Sequence, residues 1–113
     1  AIITCNCCDV YNPKTVRSAM GSLMRVNIID DDIGNAVLNL KNAGITVYAA
    51  VIDSSAVSLT ECDFSKGGAV MIGNEGNGLP REHSALADIP LKIKMHGTIN
   101  SLNAAMAAGI IMW

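Results

Sequence analysis

Apolar residues fall into short runs separated by polar and glycine-containing segments, a pattern that predicts several short strands. The runs Ile45 to Ile52 and Ala69 to Ile72 are nearly continuous, as in strands buried on both faces. The run Ile2 to Cys5 is short and β-prone and leads into a polar loop. Residues 89–95 alternate apolar side chains with lysines, which is typical of a strand with one wetter face.

Helix signals occur between and after these strands, at residues 14–20, 34–43, 80–87 and 101–113. The first helix follows Pro13, which suits an opening helical turn, and would stop near Gly21. The second follows three aspartates and precedes Gly44, which stands where a helix C-cap belongs. Strands and helices therefore alternate, and this order predicts an α/β fold with parallel strands joined by helical crossovers.

The last predicted helix, residues 101–113, is apolar on every side and would be capped by Ser101 or Asn100. Such a helix cannot face water. It packs either in the core of a larger domain or against a second subunit. Close backbone approach in a homodimer would be permitted by its small residues, Ala104, Ala105, Ala107, Ala108 and Gly109.

Length and charge limit the classes of protein that fit. With 113 residues the chain is predicted to be one domain, and its net charge of −2 argues against gripping nucleic acid by bulk electrostatics. Any contact with RNA must be made by a local group of residues in this chain or by residues outside it. No apolar run approaches the roughly 20 residues of a membrane span, so a cytoplasmic protein without membrane contact is expected.

The four cysteines are Cys5, Cys7, Cys8 and Cys62. A structural zinc site needs two pairs of ligands, and the crowded Cys-x-Cys-Cys cluster supplies only one. We expect reduced thiols and no metal.

A glycine-rich turn, Gly73 to Pro80, follows one predicted strand and precedes a helix. Its glycines would let backbone amides approach a ligand closely. Leu79 and Pro80 stand where a phosphate loop requires Lys and Ser/Thr, and the glycine order does not match the dinucleotide fingerprint. The alternative is a tight turn that binds nothing.

A second junction, residues 95–103, also leads from a strand through a loop to a helix and carries uncharged hydrogen-bonding side chains. Strand ends at one edge of a parallel sheet converge on one crevice. The two loops and the end of the strand at residues 45–52 would therefore form a neutral, backbone-rich pocket. It would suit an adenosine-containing ligand without a phosphate chain.

Residues 68–79 and 89–108 resemble the second and third motifs of the SpoU, or TrmH-like, methyltransferases of the SPOUT superfamily, and residues 12–23 resemble a further family segment. The resemblance implies transfer of a methyl group from S-adenosylmethionine to an RNA ribose 2′-hydroxyl, in rRNA or tRNA. It also implies a parallel-sheet α/β fold with a C-terminal trefoil knot and a homodimer joined near the knot.

The same resemblance implies site residues. Glu75, Ser101 and Asn103 match motif positions and would organise catalysis. The alternative for Glu75 is a solvated carboxylate in the glycine-rich turn. The cofactor would contact Ala50, Val51, Gly73, Asn74, Glu75, Gly78, Ile93, Met95, Ser101, Leu102 and Asn103.

Two departures from the family pattern qualify the resemblance. The family's first motif, an Asn-x-Gly stretch followed by an Arg that activates the ribose hydroxyl, is not among these residues. Residues 1–113 are therefore expected to be the C-terminal part of a longer catalytic domain, incomplete at its N-terminus. Asn100 stands where relatives often carry Glu. A rival hypothesis is a non-catalytic cofactor-binding or dimerisation module, and a generic nucleotide-binding protein is weaker because the phosphate-loop Lys is missing.

Other polar residues fit solvent-exposed surfaces. Arg17 is predicted to be a solvated helix charge, with approach to RNA phosphate or to the active site as the alternative. His83 and His96 are predicted to be ordinary surface histidines. Lys92 and Lys94 are predicted to line an exposed strand face, with RNA contact as the alternative.

Overall fold

A computed structural model describes residues 1–95 and 101–113 of the chain. The predicted α/β fold with parallel strands is confirmed, because helices separate most consecutive strands and the strands of each sheet pair in parallel. The exception to the predicted alternation is the loop 51–56, which joins two strands without a helix. The residues form two compact units, Ala1–Ala36 and Val37–Trp113. Within the described ranges, no helix has both the length and the apolar character that crossing a membrane would require.

The first unit contains a two-stranded parallel sheet. Strand β1 (Ile2–Thr4) pairs with β2 (Ile28–Asp30). Between them lies helix α1 (Pro13–Ser18), which has the predicted proline in its first turn. The Asn12 side chain caps this helix by accepting a hydrogen bond from the backbone N–H of Lys14 at 2.9 Å.

Strand β2 was not predicted from the sequence. Its last residue, Asp30, is the first of three aspartates, and the sequence predicted that all three would lie just before the following helix. In the structure Asp30 lies in the strand, and Asp32 accepts hydrogen bonds from the N–H groups of Gly34 at 2.9 Å and Asn35 at 3.2 Å. Its two isoleucines are followed directly by aspartates, so β2 shows neither a clear alternation nor a longer apolar run.

Helix α2 (Ile33–Asn42) follows, and it ends as predicted. Gly44 adopts a φ of +74°, its N–H donates to the Lys41 carbonyl at 2.9 Å, and the N–H of Ile45 donates to the Leu40 carbonyl at 3.0 Å. This pair of hydrogen bonds around a left-handed residue is a Schellman end, which glycine adopts without the steric penalty of a side chain.

The second unit is built on a four-stranded parallel sheet. Its strands are β3 (Val47–Ala50), β4 (Val57–Ser58), β5 (Ala69–Met71) and β6 (Ile89–Lys92), and their order in the sheet is β4-β6-β3-β5. The core lies on the central strands, where Val47, Ala49 and Leu91 are 0% exposed. The apolar run at residues 45–52 is therefore the buried strand that its composition predicts.

The remaining helices are α3 (Arg81–Ser84), a single turn, and α4 (Ala104–Met112). The predicted cap of the last helix was wrong for Ser101, because the helix begins only at Ala104. Asn103 is the cap, and its side-chain oxygen accepts hydrogen bonds from the N–H groups of Ala105 at 2.9 Å and Met106 at 3.3 Å. The other predicted cap, Asn100, lies outside the described residues.

Candidate functional site

Three strand ends meet at one edge of the four-stranded sheet. Strand β3 lies between β6 and β5, with Ala50 opposite Leu91 on one side and Ala49 opposite Met71 on the other. Because all three strands are parallel, the segments that follow Ala50, Met71 and Lys92 leave the sheet at the same edge. The three predicted site segments, which follow β3, β5 and β6, therefore all begin at the same edge of the sheet.

The loop that follows β3, residues 51–56, is held by hydrogen bonds at both ends. The N–H of Val51 donates to the Leu91 carbonyl at 2.9 Å, which extends the pairing with β6. Asp53 then forms a tight turn in which its carboxylate accepts from the N–H and the hydroxyl of Ser55, both at 2.8 Å. The loop closes at Ala56, which is buried and donates its N–H to the Asp53 carbonyl at 3.2 Å.

Two basic side chains act on this loop. Hydrogen bonds from Ser55 lower the pKa of Asp53, and the positive charges of Lys92 and Arg81 lower it further. The ammonium group of Lys92 also donates to the backbone carbonyl of Ser54. The sequence placed Lys92 on an exposed strand face, whereas in the structure it is half-buried and bonded to the loop. No sequence signal connects two residues 38 positions apart.

The glycine-rich turn after β5 closes on itself. Gly78 donates its N–H to the Asn74 carbonyl at 2.9 Å, and Asn77 donates its N–H to the Asn74 side-chain oxygen at 2.7 Å. A Cβ at Gly73 would overlap the backbone of Gly78 and Leu79. Gly78 itself has a φ of +66°, which disfavours any residue with a side chain.

Glu75 lies between the two residues that close this turn and is exposed to solvent. Its carboxylate is therefore accessible to a ligand or to water. Both the functional and the solvated interpretation of Glu75 fit this position.

The third predicted segment is only partly described. Ile93 and Met95 follow β6 directly and are half-buried, whereas Ser101, Leu102 and Asn103 are exposed. The motif residues 96–100 lie outside the described residues, including the predicted surface histidine His96. Among the hydrogen bonds of residues 1–95 and 101–113, none joins Glu75 to Ser101 or Asn103. Their grouping into one catalytic cluster stays a prediction.

Two pockets lie away from this edge. One is formed by residues where β3 and β6 begin, at the opposite edge of the sheet: Lys41, Gly44, Ile45, Thr46 and Asp88. The other belongs to the first unit and is lined by Thr4, Cys7, Cys8, Asp9, Val10, Tyr11, Ile28 and Asp30. Neither pocket contains a predicted site residue. Both pockets therefore lie apart from the edge where the segments after β3, β5 and β6 leave the sheet.

The cysteines Cys5, Cys7, Cys8 and Cys62 are free thiols. In the part of the chain that the structure describes, no three His, Cys, Asp or Glu side chains are grouped so that they could hold a metal ion.

Comparison with known proteins identifies the family. The model of the SpoU rRNA methylase family matches residues 1–113, the whole chain. The chain belongs to the SpoU rRNA methylase family. The resemblance to this family that the sequence predicted is thereby confirmed.

Two relatives of this SpoU family chain are named as 2′-O-methyltransferases. The 23S rRNA (guanosine(2553)-2′-O)-methyltransferase RlmP of Bacillus subtilis is 32% identical over 105 residues, which are 93% of this chain and 42% of that protein. The tRNA (guanosine(18)-2′-O)-methyltransferase of Thermus thermophilus is 39% identical over 85 residues, 75% of this chain and 44% of that protein.

The fold of this SpoU family chain also matches a solved structure. The SpoU methyltransferase AviRb from Streptomyces viridochromogenes, in complex with the cofactor AdoMet, has a TM-score of 0.84 and 31% identity over 97% of this chain and 46% of that chain. This likeness confirms the α/β fold of the SPOUT methyltransferases. The chain spans less than half the length of each of these three relatives.

Proposed function

We propose that this chain is the C-terminal part of the catalytic domain of an S-adenosylmethionine-dependent RNA methyltransferase that methylates a ribose 2′-hydroxyl in rRNA or tRNA. The main observation in support is that the loops after β3, β5 and β6 all begin at the same edge of the sheet. The names of the two relatives and the AdoMet bound to AviRb support the reaction and the cofactor.

The residues at this edge fit S-adenosylmethionine chemically. The cofactor contains adenosine and a sulfonium but no phosphate, so it needs backbone groups and uncharged side chains in place of the Lys and Ser/Thr of a phosphate loop. The turn at Gly73 and Gly78 is of that kind, because it brings backbone close to backbone where no side chain fits. When bound, the cofactor supplies a methyl group that a hydroxyl oxygen can attack.

We propose that the cofactor is held by three groups of residues, one from each strand end. The β3 group is Ala50 and Val51, and the β5 group is Gly73, Asn74, Glu75 and Gly78. The β6 group is Ile93, Met95, Ser101, Leu102 and Asn103.

Catalytic organisation is assigned to Glu75, Ser101 and Asn103. The side-chain oxygen of Asn103 already accepts two hydrogen bonds from the first turn of α4, so its amide NH₂ is the group left to donate to a ligand. Glu75 can accept hydrogen bonds through its exposed carboxylate, and Ser101 can donate or accept through its hydroxyl. In these roles the three residues would orient the cofactor and the ribose hydroxyl.

A ribose hydroxyl is a poor nucleophile at neutral pH and must lose its proton as the new carbon–oxygen bond forms. The family resemblance assigns the activating group to an Arg in a motif outside these residues. The residues of this chain would contribute by holding the hydroxyl and the methyl group in line, which can supply a large part of the rate enhancement.

We further propose that the protein acts in the cytoplasm as a homodimer, that its C-terminal region is tied in a trefoil knot, and that it uses no metal. The homodimer is supported by helix α4, where Met106 and Ile110 are exposed large apolar residues. RNA is the expected partner, and its 2′-hydroxyl would distinguish it from DNA.

The test uses the full-length protein. Calorimetry with S-adenosylhomocysteine should show binding, and incubation with total RNA and isotope-labelled S-adenosylmethionine should place label on RNA. Digestion to nucleosides and mass spectrometry should locate the label on the ribose. Binding without transfer would favour the non-catalytic module, and label on a base would contradict ribose methylation. Comparing ribose methylation in a deletion strain with its parent would then identify the RNA.

A further inference from the structure

The path of the chain from β3 to β4 passes over the end of β6. Strand β4 pairs with β6 on the side away from β3, as the sheet order β4-β6-β3-β5 requires. The six residues of the loop 51–56 make this crossing without a helix. They therefore run across the carboxyl end of β6, whose last residue is Lys92.

Lys92 joins the loop to the strand beneath it. Its ammonium group donates to the Ser54 carbonyl, midway along the crossing. The same positive charge acts on the Asp53 carboxylate, whose pKa is lowered first by Ser55 and then by Lys92 and Arg81. Lys92 therefore holds the loop both by a hydrogen bond to its backbone and by attraction to its acidic side chain.

This connection lies between two of the proposed cofactor-binding segments. Val51 begins the loop that Lys92 holds, and Ile93 directly follows Lys92 in the chain. The Val51 N–H bonds to the Leu91 carbonyl at 2.9 Å, but beyond that point the pairing of β3 with β6 ends. Past the paired region, the Lys92 side chain ties the loop to β6 through its hydrogen bond to the Ser54 carbonyl.

We propose that Lys92 is a positioning residue for the cofactor, which sets the distance between the loop 51–56 and the segment after β6. The inference rests on the proposed function, because it concerns how the same site is held open to S-adenosylmethionine. Lys92 acts through Ser54 and Asp53 and is not itself a catalytic residue.

The experiment compares Lys92→Met, Lys92→Gln and Lys92→Arg in the full-length protein, with Lys94→Met as the matched control. Met and Gln are both one atom shorter than Lys: Met removes the donor, and Gln keeps a neutral polar group without the charge. Arg keeps a charged donor. Lys94 is exposed, lies two residues further along, and has the same charge.

We expect Lys92→Met and Lys92→Gln to raise the Kd for S-adenosylhomocysteine about tenfold, because a hydrogen bond from a charged donor is lost. The KM for S-adenosylmethionine should rise similarly, while kcat at saturating cofactor and the KM for RNA change less than about twofold. Hydrogen exchange at the amides of Ser55 and Ala56 should accelerate. Lys92→Arg should recover most of the affinity, and Lys94→Met should match the unmodified protein.

Outcomes separate this inference from the proposed function. Equal cofactor affinity in the unmodified protein and Lys92→Met, with S-adenosylhomocysteine binding intact, would overturn the role of Lys92 alone. An equal loss in Lys94→Met would also overturn it, because the effect would then be one of net charge. If Lys92→Met does not fold, as judged by circular dichroism, Lys92→Gln and Lys92→Arg decide the question. Absence of binding by the unmodified protein would overturn the proposed function and this inference with it.

Discussion

At Gly73 the chain passes so close to Gly78 and Leu79 that a Cβ atom has no room. The neighbouring atoms belong to the backbone, so they cannot move aside as the end of a side chain can. We expect Gly73→Ala to open the turn, to lower the free energy of unfolding by about 2 kcal/mol, and to raise the Kd for S-adenosylhomocysteine at least about tenfold. Urea denaturation and calorimetry would measure the two effects.

Gly76 in the same turn provides the control. A Cβ there would meet only the Asn74 side-chain oxygen at 3.6 Å, an ordinary contact. Gly76→Ala should therefore leave both stability and affinity close to those of the unmodified protein. If Gly73→Ala bound the cofactor as well as Gly76→Ala did, the closed turn would have no part in the site.

Asn103 combines a structural and a proposed functional role that two substitutions can separate. Asn103→Asp keeps the oxygen that caps α4 but loses the amide NH₂, whereas Asn103→Ala loses both. We expect Asn103→Ala to lower the free energy of unfolding by about 1 kcal/mol and Asn103→Asp to leave it nearly unchanged. Both should reduce methyl transfer at least about tenfold, measured with labelled cofactor and RNA. Full activity in Asn103→Asp would show that Asn103 serves only as a cap.

At the scale of elements, Asp88 links α2 to the start of the central strands. Its carboxylate accepts hydrogen bonds from Lys41 at 2.8 Å and from the N–H of Val47 at 2.9 Å. The hydrogen bond from Lys41 and then that from Val47 lower the pKa of Asp88 below its ordinary value of 3.8. A lowered folded-state pKa stabilises the folded state above the unfolded value, and this stability is lost as pH falls through the folded value.

Asp88→Asn should therefore be less stable than the unmodified protein at pH 7, by a small amount because both partners are partly exposed. The difference should persist down to about pH 4, begin to shrink as the pH falls below the ordinary pKa of 3.8, and vanish below the lowered folded-state pKa. Thermal unfolding across this range measures it, and Glu61→Gln, which removes an exposed carboxylate from the same unit, is the control. If the stability difference between Asp88→Asn and the unmodified protein did not depend on pH, the charge of Asp88 would not be what stabilises its contacts with Lys41 and Val47.

The elements that the sequence predicted well are those with strong local signals. The end of α2 follows from Gly44, and β3 follows from a run of apolar residues that only a strand buried on both faces explains. Strand β2 was missed because its two isoleucines are followed directly by aspartates, and β4 because it has only two residues. Their pairing partners also lie far away in sequence. The cap of α4 was misplaced because Asn100, Ser101 and Asn103 are all good caps by residue type.

At the scale of the whole molecule, the candidate site depends on which strands are neighbours, and local patterns do not specify that. The glycine-rich turn was recognised from its residues, but its place beside the loop after β3 follows from the order β4-β6-β3-β5. Lys92 shows what the sequence could not predict. A lysine at a strand end looks the same in sequence whether it is solvated or bonded to a loop, and here the path of the loop 51–56 decides. The residues alone predicted only a neutral, backbone-rich pocket. The cofactor and the reaction were inferred from the family resemblance.

The proposed homodimer makes a prediction about α4. Met106 is 60% exposed in the chain, and a subunit interface would cover such a residue. In the full-length protein, Met106→Lys should raise the dimer dissociation constant at least about tenfold, because it would place an unpaired charge in an apolar contact. Met24→Lys, which changes a methionine that is 79% exposed outside α4, should leave dimerisation unchanged.

Sedimentation velocity over a range of concentrations would measure both dissociation constants. If the unmodified protein is a monomer, or if Met106→Lys and Met24→Lys dimerise equally well, α4 does not form the interface. Its exposed apolar residues would then have to be covered within the longer protein, as in the alternative of a core helix in a larger domain. Loss of dimer only in Met106→Lys would instead place the interface at α4, directly after the site residues Ser101 to Asn103. Weakened cofactor binding in that monomeric variant would then indicate that dimerisation helps to order the site.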